Sequence, residues 1–128
     1  MRDRMMLLSY AAFLASSPVA HARDLEGPDI RRLIGGKTVR LNTPLGIQLP
    51  LKYRTNGVVA GDITGFSIAG MFAPKEEGRW WVDGKQLCQK WPSWYQGRTF
   101  CFKLRSTGEN RLGWVRNDGA RGTAVIID

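Results

Sequence analysis

The sequence has few of the residues that most often carry catalysis. Its single histidine is His21, and histidine is the commonest general base and the commonest metal ligand in proteins. No serine lies in a G-x-S-x-G setting, no D-x-D-x-D calcium loop is present, and the glycines lack the lysine and the helix of a phosphate-binding loop. An enzyme is therefore the weaker hypothesis, and we expect no catalytic residue, metal site or cofactor.

No apolar run in the chain reaches the ~20 residues that a membrane-spanning helix needs. The run from Met5 to Ala15 follows two arginines and precedes Ala20-His21-Ala22, which has small residues at the two positions that a signal peptidase reads. A membrane anchor or a buried helix is the alternative. We interpret residues 1–22 as a cleaved signal peptide and residues 23–128 as a single β-rich domain, exported to the bacterial periplasm or outside the cell.

Cleavage changes the chemical inventory of the chain. His21 leaves with the signal peptide, as do two arginines and one aspartate, so the formal net charge falls from +8 to +7. The basic residues are scattered without a run of five, which is typical of a generally basic soluble surface. An exported basic protein meets anionic envelope polymers, lipid head groups or acidic proteins. We therefore expect an anionic envelope polymer or a protein as partner, and no nucleic acid.

Cys88 and Cys101 are the only cysteines in the sequence. An even number in an exported chain implies a disulfide, and with two cysteines the pairing is forced. The C-x-x-C spacing of redox-active pairs is absent, so we predict a structural bridge. Closing a loop of about a dozen residues contributes roughly 3 kcal/mol on the chain-entropy model.

The first segment after the signal peptide has the pattern of a short helix. Pro28 suits the first turn, and Ile30, Leu33 and Ile34 share one face at i, i+3, i+4 spacing. Gly35-Gly36 then ends the pattern. We predict one short N-terminal helix here.

The rest of the chain alternates between apolar and polar residues in short segments, which indicates antiparallel strands. The predicted strands are 37–41, 48–54, 58–63, 65–72, 79–82, 85–90, 99–105, 111–116 and 123–127. The predicted turns are Thr55-Asn56-Gly57, Asp83-Gly84, Thr107-Gly108 and Asn117-Asp118-Gly119. We also assign to turns or bulges Glu76-Glu77, Gly57, Gly61, Gly65 and Gly70.

A helix followed by about eight short strands in about 106 residues predicts a mainly β fold. We expect a small antiparallel β-barrel or strongly curved sheet of the lipocalin-like kind, because closure removes exposed strand edges. A two-sheet sandwich is the alternative. We expect the protein to be a monomer.

Large aromatic side chains are concentrated in the second half of the chain. Trp80 and Trp81 are neighbours in a predicted strand, so they point to opposite faces and one of them lies outside or in a groove. Other aromatic residues lie beside basic ones in the loop between the cysteines. We predict a binding surface that consists of Trp80, Trp81, Lys90, Trp91, Trp94, Tyr95 and Arg98. The alternative is that this loop folds back as a lid over the barrel end, with its indole N–H groups hydrogen-bonded.

Three functions fit this description. The leading hypothesis is a non-enzymatic binding or accessory protein of the bacterial periplasm, which uses the predicted surface for an anionic, glycan or protein partner. The first alternative is a periplasmic inhibitor of a lysozyme or protease, with the loop 91–97 inserted into the cleft of the target. The second is a small barrel that binds an apolar ligand.

Several segments together resemble a known family. They are Leu33-Ile34-Gly35-Gly36-Lys37-Thr38-Val39, Tyr53 with Asn56-Gly57, Gly78-Arg79-Trp80-Trp81-Val82, Leu87-Cys88, Trp91 and Cys101. This order, over about residues 30–105, is similar to that of a family of uncharacterised small exported bacterial proteins with a G-x-W strand and a Leu-Cys…Cys pattern. The resemblance implies an envelope location and a β-rich fold, and it transfers no catalytic residue. A similarity of outline to exported lipocalin-like inhibitors implies an inhibitory role by fold alone.

Overall fold

The computed structural model describes residues 22–43, 46–66, 68 and 71–128, so the predicted signal peptide lies outside the described residues except for Ala22. Within those ranges the chain forms one α-helix and nine strands. Their bounds are β1 Arg23–Asp24, α1 Gly27–Ile34, β2 Lys37–Asn42, β3 Gln48–Tyr53, β4 Val58–Asp62, β5 Lys75–Asp83, β6 Gln86–Lys90, β7 Thr99–Gly108, β8 Arg111–Arg116 and β9 Arg121–Ile126. No helix in the same ranges is long and apolar enough to cross a membrane.

Strands β2 to β9 form a closed antiparallel barrel. Each strand pairs with the next along the chain, and β9 pairs back with β2, where Leu41 lies opposite Ala124. The short β1 pairs with the end of β7 that extends beyond β6. The predicted mainly β barrel is therefore confirmed and the sandwich is wrong, because the strands continue around one ring instead of separating into two sheets.

The barrel interior is built by alternation. In β3, Leu49, Leu51 and Tyr53 are buried and the residues between them are exposed. In β8, Leu112 and Trp114 are buried in the same way. Because successive side chains of a strand point to opposite faces, these residues line the inside. Burying each such side chain contributes about 1.5–3 kcal/mol relative to leaving it exposed.

Helix α1 covers one end of the barrel. Pro28 lies in its first turn, and the Asp29 carboxylate accepts a hydrogen bond from the Glu26 N–H at 3.1 Å, which satisfies a backbone donor at the helix start. Ile30 and Ile34 are buried in the barrel core. The predicted N-terminal helix is confirmed. The opposite end is bordered by the connections β2–β3, β4–β5, β6–β7 and β8–β9, and we call it the open end.

Glu76 and Glu77 belong to a strand, and their assignment to a turn is wrong. They lie in β5 opposite Gly61 and Ala60 of β4, because the β4–β5 ladder extends further than the apolar pattern indicated. The same ladder pairs Gly61 regularly with Glu76, so Gly61 lies in a strand, as the predicted strand 58–63 requires, and its assignment to a turn or bulge is wrong. Of the other glycines in that prediction, Gly57 and Gly65 have the positive φ of turns, and Gly70 lies outside the described residues.

Two other local predictions also differ from the structure. In the described part of segment 65–72, Ile68 and Met71 form only an isolated bridge rather than a strand. Thr107-Gly108 lies within β7, because a bulge near its end lets the pairing with β8 continue. The turn instead includes Asn110 with a φ of 58°, a conformation that asparagine adopts more readily than most residues.

The predicted disulfide is confirmed. Cys88 on β6 and Cys101 on β7 face each other in register and are bonded, with their Cα atoms 4.0 Å apart. No cysteine in the described part of the chain is free. Phe100 and Phe102 flank Cys101 and are buried on the inward face. The bridge therefore lies on the outer wall and joins the two strands that carry the loop 91–98.

Candidate functional site

The structure divides the predicted binding surface. Trp81 is 39% exposed and Lys90 and Arg98 are exposed, whereas Trp80, Trp91 and Trp94 are buried and Tyr95 is half-buried. The surface prediction is therefore wrong for the three buried tryptophans. Trp80 is on the inward face of β5, opposite to Trp81 as predicted. Trp91 and Trp94 are buried because their loop folds back over the open end of the barrel.

The loop 91–98 forms the lid that the sequence left as an alternative. Trp94 is fully buried, and its Nε1–H donates to the carbonyl oxygen of Ala73 at 2.7 Å. The ring of Trp91 packs against that of Trp94, with ring centroids 4.6 Å apart. The Nε1–H of Trp91 is buried and has no hydrogen-bond acceptor in the described chain. The prediction that the indole N–H groups are bonded is thus right for Trp94 and wrong for Trp91.

Two strand glycines make room for these indoles. A Cβ atom at Gly61 would lie 2.5 Å from Cζ3 of Trp94. A Cβ atom at Gly78 would collide first with the backbone oxygen of Lys90 and would lie 3.1 Å from Cε3 of Trp91. A larger residue at Gly61 would therefore displace the ring. Glycine inside a strand often marks such a close approach, and here it lets the lid lie against the barrel wall.

Glu76 holds the lid from the neighbouring strand. Its carboxylate accepts hydrogen bonds from the backbone N–H groups of Ser93 and Trp94, both at 2.9 Å, and from the Ser93 hydroxyl. Burial alone would raise the pKa of Glu76, but these three hydrogen bonds outweigh it and hold the pKa below its usual value. The lid therefore binds the ionised form of Glu76.

The lid bends sharply after Trp94. Tyr95 and Gln96 have φ angles of 59° and 60°, and Gly97 follows with 68°. The left-handed conformation costs a non-glycine residue roughly 1–2 kcal/mol, so the rest of the lid must offset this strain. The bend sets the ring of Tyr95 edge-on against that of Phe100, with centroids 5.2 Å apart.

We predict that replacing Glu76 with glutamine lowers the free energy of unfolding at neutral pH by about 1 kcal/mol or more, because hydrogen bonds to a charged acceptor are the stronger ones. The folded pKa lies below the unfolded value of 4.5. The stabilisation is therefore complete above pH 4.5 and is lost as the pH falls through the lower, folded value. Denaturant unfolding of wild type and E76Q at pH 7 and at about pH 3 measures the stabilisation as the difference between their free energies of unfolding.

The difference in the free energy of unfolding between wild type and E76Q should be smaller at about pH 3 than at pH 7. Glu77→Gln is the matched control, since Glu77 pairs only with Arg54 on the exposed surface at 3.2 Å among the described ion pairs. Such pairs contribute about 0–1 kcal/mol. An E76Q effect that equals the E77Q effect, or that stays constant with pH, would contradict the anchoring role of Glu76.

The open end of the barrel contains a cavity of about 290 Å³. Its walls are mainly apolar and include Leu41, Leu49, Leu51 and Trp114, with Trp91 of the lid on one side. The half of the interior next to α1 holds a void of only about 20 Å³. The same barrel is thus closely packed at its closed end and hollow at its open end.

A buried polar pair lies at the floor of the cavity. The Tyr53 hydroxyl donates to Oε1 of Gln89 at 2.7 Å, and Gln89 lines the cavity although its side chain is 3% exposed. Burial raises the pKa of Tyr53 well above its usual value, so the phenol remains a neutral donor. This bond uses one of the two lone pairs of the Gln89 oxygen.

Arg116 is the one charged residue among the described residues that line the cavity. Its Cζ lies 4.2 Å from the centroid of the Phe100 ring and 5.7 Å from that of Tyr95. Its Nε–H and Nη2–H donate to the two carboxylate oxygens of Asp118, each at 2.8 Å. These bonds lower the pKa of Asp118 to about 2. The rings of Phe100 and Tyr95 and the carboxylate of Asp118 together hold the Arg116 guanidinium in place at the mouth of the cavity.

This combination is typical of a small-molecule site, which is mainly apolar with a few placed polar groups. The described lining contains no carboxylate, cysteine or histidine. Across the described ranges, no cluster of such side chains could hold a metal ion. The cavity can therefore bind and orient a molecule, but its described residues offer no nucleophile paired with a general base.

Sequence reasoning did not single out Gln89 or Arg116. A signal was present, since Gln89 follows Leu87 by two residues and Arg116 follows Trp114 by two. The period of a strand places both polar side chains on an otherwise apolar, inward face. A polar residue at such a position needs a partner or a function.

No protein-family model, curated protein or solved structure matches this chain. The resemblance to small exported bacterial proteins therefore stays a prediction. Function has to be inferred from the barrel and its cavity alone.

Proposed function

We propose that this protein is an exported, non-catalytic binding protein that holds a small apolar ligand in the cavity at the open end of its barrel. The cavity volume of about 290 Å³ carries the proposal. It is about twice the ~150 Å³ apolar cavity that takes up benzene, and it approaches the lower limit of about 300 Å³ for ligand pockets. A bicyclic aromatic or a medium-length alkyl chain has a suitable size.

A contrast within the barrel supports this function. The closed end is filled to within a void of about 20 Å³, so the hollow at the other end is not a general failure to pack. The walls of that hollow are mainly apolar, as in most ligand pockets.

Export is part of the proposal. The disulfide supports it, because such bonds persist in oxidising compartments outside the cytosol. The predicted signal peptide agrees with the same location.

The neutral fluorescent probe N-phenyl-1-naphthylamine tests the cavity. We expect saturable one-to-one binding with a rise in probe fluorescence and quenching of Trp91 and Trp114, which line the cavity. Ala120 also lines it, so Ala120→Trp should fill the space and weaken binding at least tenfold. Ala60→Trp on the outward face of β4 is the matched control and should bind as wild type does.

Absence of saturable binding to the folded wild-type protein would refute the proposal. Equal affinities of A120W and A60W would refute it as well, because the probe would then sit elsewhere. Circular dichroism of both variants establishes that each barrel is folded before the affinities are compared.

A second candidate function uses what remains of the predicted surface. Trp81 is exposed on the outer wall, Arg79 lies two residues before it on the same face, and Lys90 is opposite Arg79 on β6. We call these three residues the outer patch. An indole beside two cations suits an anionic polysaccharide, since the ring stacks on sugars and the cations attract acidic groups.

Chromatography on dextran sulfate tests the outer patch. Trp81→Ala keeps the charge, so we expect it to elute at lower salt than wild type if the indole contributes. If Trp81→Ala and wild type elute at the same salt concentration, the indole does not contribute, and non-specific charge attraction alone accounts for the retention. The inhibitor hypothesis stays a prediction from the sequence, and in the structure both tryptophans of its inserted loop face inward.

A further inference from the structure

Arg116 is the strongest hydrogen-bond donor among the described residues that line the cavity. Two of the neutral polar side chains of the lining already have partners: Oε1 of Gln89 accepts from Tyr53 at 2.7 Å, and the Thr43 hydroxyl donates to the carbonyl of Ile47 at 2.8 Å and accepts from its N–H at 3.2 Å. Arg116 carries five N–H groups and no acceptor. A ligand that complements Arg116 must bring acceptor oxygens.

Arg116 also supplies the charge that such oxygens would meet. Its side chain is 20% exposed and sits at the border between the apolar cavity and solvent. Asp118 occupies the Nε and Nη2 edge of the guanidinium, and the group also carries Nη1, on its other side. A second carboxylate can accept from Nη1 while Asp118 keeps its place.

We propose that the cavity selects an apolar molecule with a carboxylate head group, which is bound at Arg116 while the apolar tail lies among Leu41, Leu49 and Leu51. This inference rests on the proposed function, since it names the chemical class of the ligand in the same cavity. The aromatic rings under Arg116 matter here. The Phe100 ring, 4.2 Å from Cζ, holds the guanidinium at the mouth without neutralising it.

Asp118 limits the affinity for such a ligand. It is close to Arg116 and ionised at neutral pH, because its bonds to Arg116 lower its pKa to about 2. A ligand carboxylate therefore binds a cation whose charge is already partly compensated. Removing the charge of Asp118 should strengthen binding of an anionic ligand and leave a neutral one unaffected.

Isothermal titration with decanoate and decan-1-ol tests the head group, because the two share a ten-carbon tail and differ in charge. We expect wild type to bind decanoate about tenfold more tightly than decanol, as one charge-assisted hydrogen bond would allow. Arg116→Gln should abolish the preference for decanoate over decanol. Asp118→Asn should raise the affinity for decanoate.

Arg121→Gln is the matched control, since Arg121 is an exposed cation of β9 that does not line the cavity. It removes the same charge from the molecule, so an equal effect of R121Q and R116Q would show long-range attraction only and overturn the inference. Circular dichroism and binding of N-phenyl-1-naphthylamine establish that R116Q is folded before the two affinities are compared.

The remaining outcomes separate the two proposals. If wild type binds decanol and decanoate equally, the head-group inference is wrong and the apolar cavity function stands. If R116Q still prefers decanoate, Arg116 is not the anchor and the inference is wrong in the same way. If neither compound binds and N-phenyl-1-naphthylamine also fails to bind, both proposals are wrong.

Discussion

Replacing Trp94 with alanine is expected to lower the free energy of unfolding by about 3–5 kcal/mol, the usual loss for a buried tryptophan. Trp94 is fully buried, fills the space over Gly61, and donates a hydrogen bond to Ala73. The change removes the ring and leaves both Gly61 and the Ala73 carbonyl without a partner. The free energy of unfolding of a small domain is about 5–15 kcal/mol in total, so this change removes a large fraction of the stability.

Thermal and urea unfolding measure this loss. For a domain of this size each kcal/mol lowers Tm by about 4–8 °C, so a fall of more than about 12 °C is expected. Trp81→Ala is the matched control, since it removes the same side chain from the outer wall of the barrel, where Trp81 is 39% exposed. It should change stability by less than about 1 kcal/mol. Equal effects of the two changes would contradict the burial of Trp94.

Removing the disulfide by replacing both Cys88 and Cys101 with alanine is expected to cost about 3 kcal/mol. The bridge closes a loop with a sequence separation of 13 residues, and the chain-entropy model gives about 3 kcal/mol for a loop near this length. The lid 91–98 lies within the loop that the bridge closes. The double variant should therefore lose order in the lid first and bind N-phenyl-1-naphthylamine more weakly than wild type.

Unfolding in urea with and without a reducing agent checks this prediction. Reduced wild type should match the double variant, and the reducing agent should not affect the variant. A variant as stable as the oxidised protein would mean that the hydrogen bonds from the lid to Glu76 and the packing of Trp94 suffice without the bridge. Single cysteine variants are unsuitable, because they leave a reactive thiol.

One group of residues links stability to the proposed binding site. The lid closes over the barrel through Trp94 and Glu76, and the same lid supplies Trp91 to the cavity wall. Trp91 has both a packing role and an unused N–H donor. We therefore expect ligand binding and lid stability to be coupled, so that a ligand in the cavity raises Tm.

Local sequence pattern determined the frame of this protein. Alternation of apolar and polar residues, as in β3, gave antiparallel strands, and the spacing of Ile30 and Ile34 gave the helix. Two cysteines gave the disulfide with no alternative pairing. The strands and the helix depend on residues close in sequence, and the two cysteines can pair in only one way. The sequence alone is therefore enough to predict these features.

The tertiary structure alone decided which aromatic residues are exposed. Lys90 and Arg98 border the loop that carries Trp91 and Trp94, which indicated a surface, but both rings turn inward against glycines of β4 and β5. The partner of the lid, Glu76, is 17 residues from Ser93 along the chain. Nothing local to the loop shows that a carboxylate and two glycines will meet it.

The cavity was also decided by the tertiary structure. In the sequence, each lining residue has the pattern of an ordinary inward-facing strand position. The cavity exists because the side chains from several strands do not fill the open end of the barrel, whereas those near α1 fill the closed end. Arg116 becomes a fixed cation only where Phe100, Tyr95 and Asp118 surround it. The volume of the cavity and the position of the Arg116 charge depend on residues far apart in sequence. Only the tertiary structure brings these residues together, so the local sequence pattern does not predict either property.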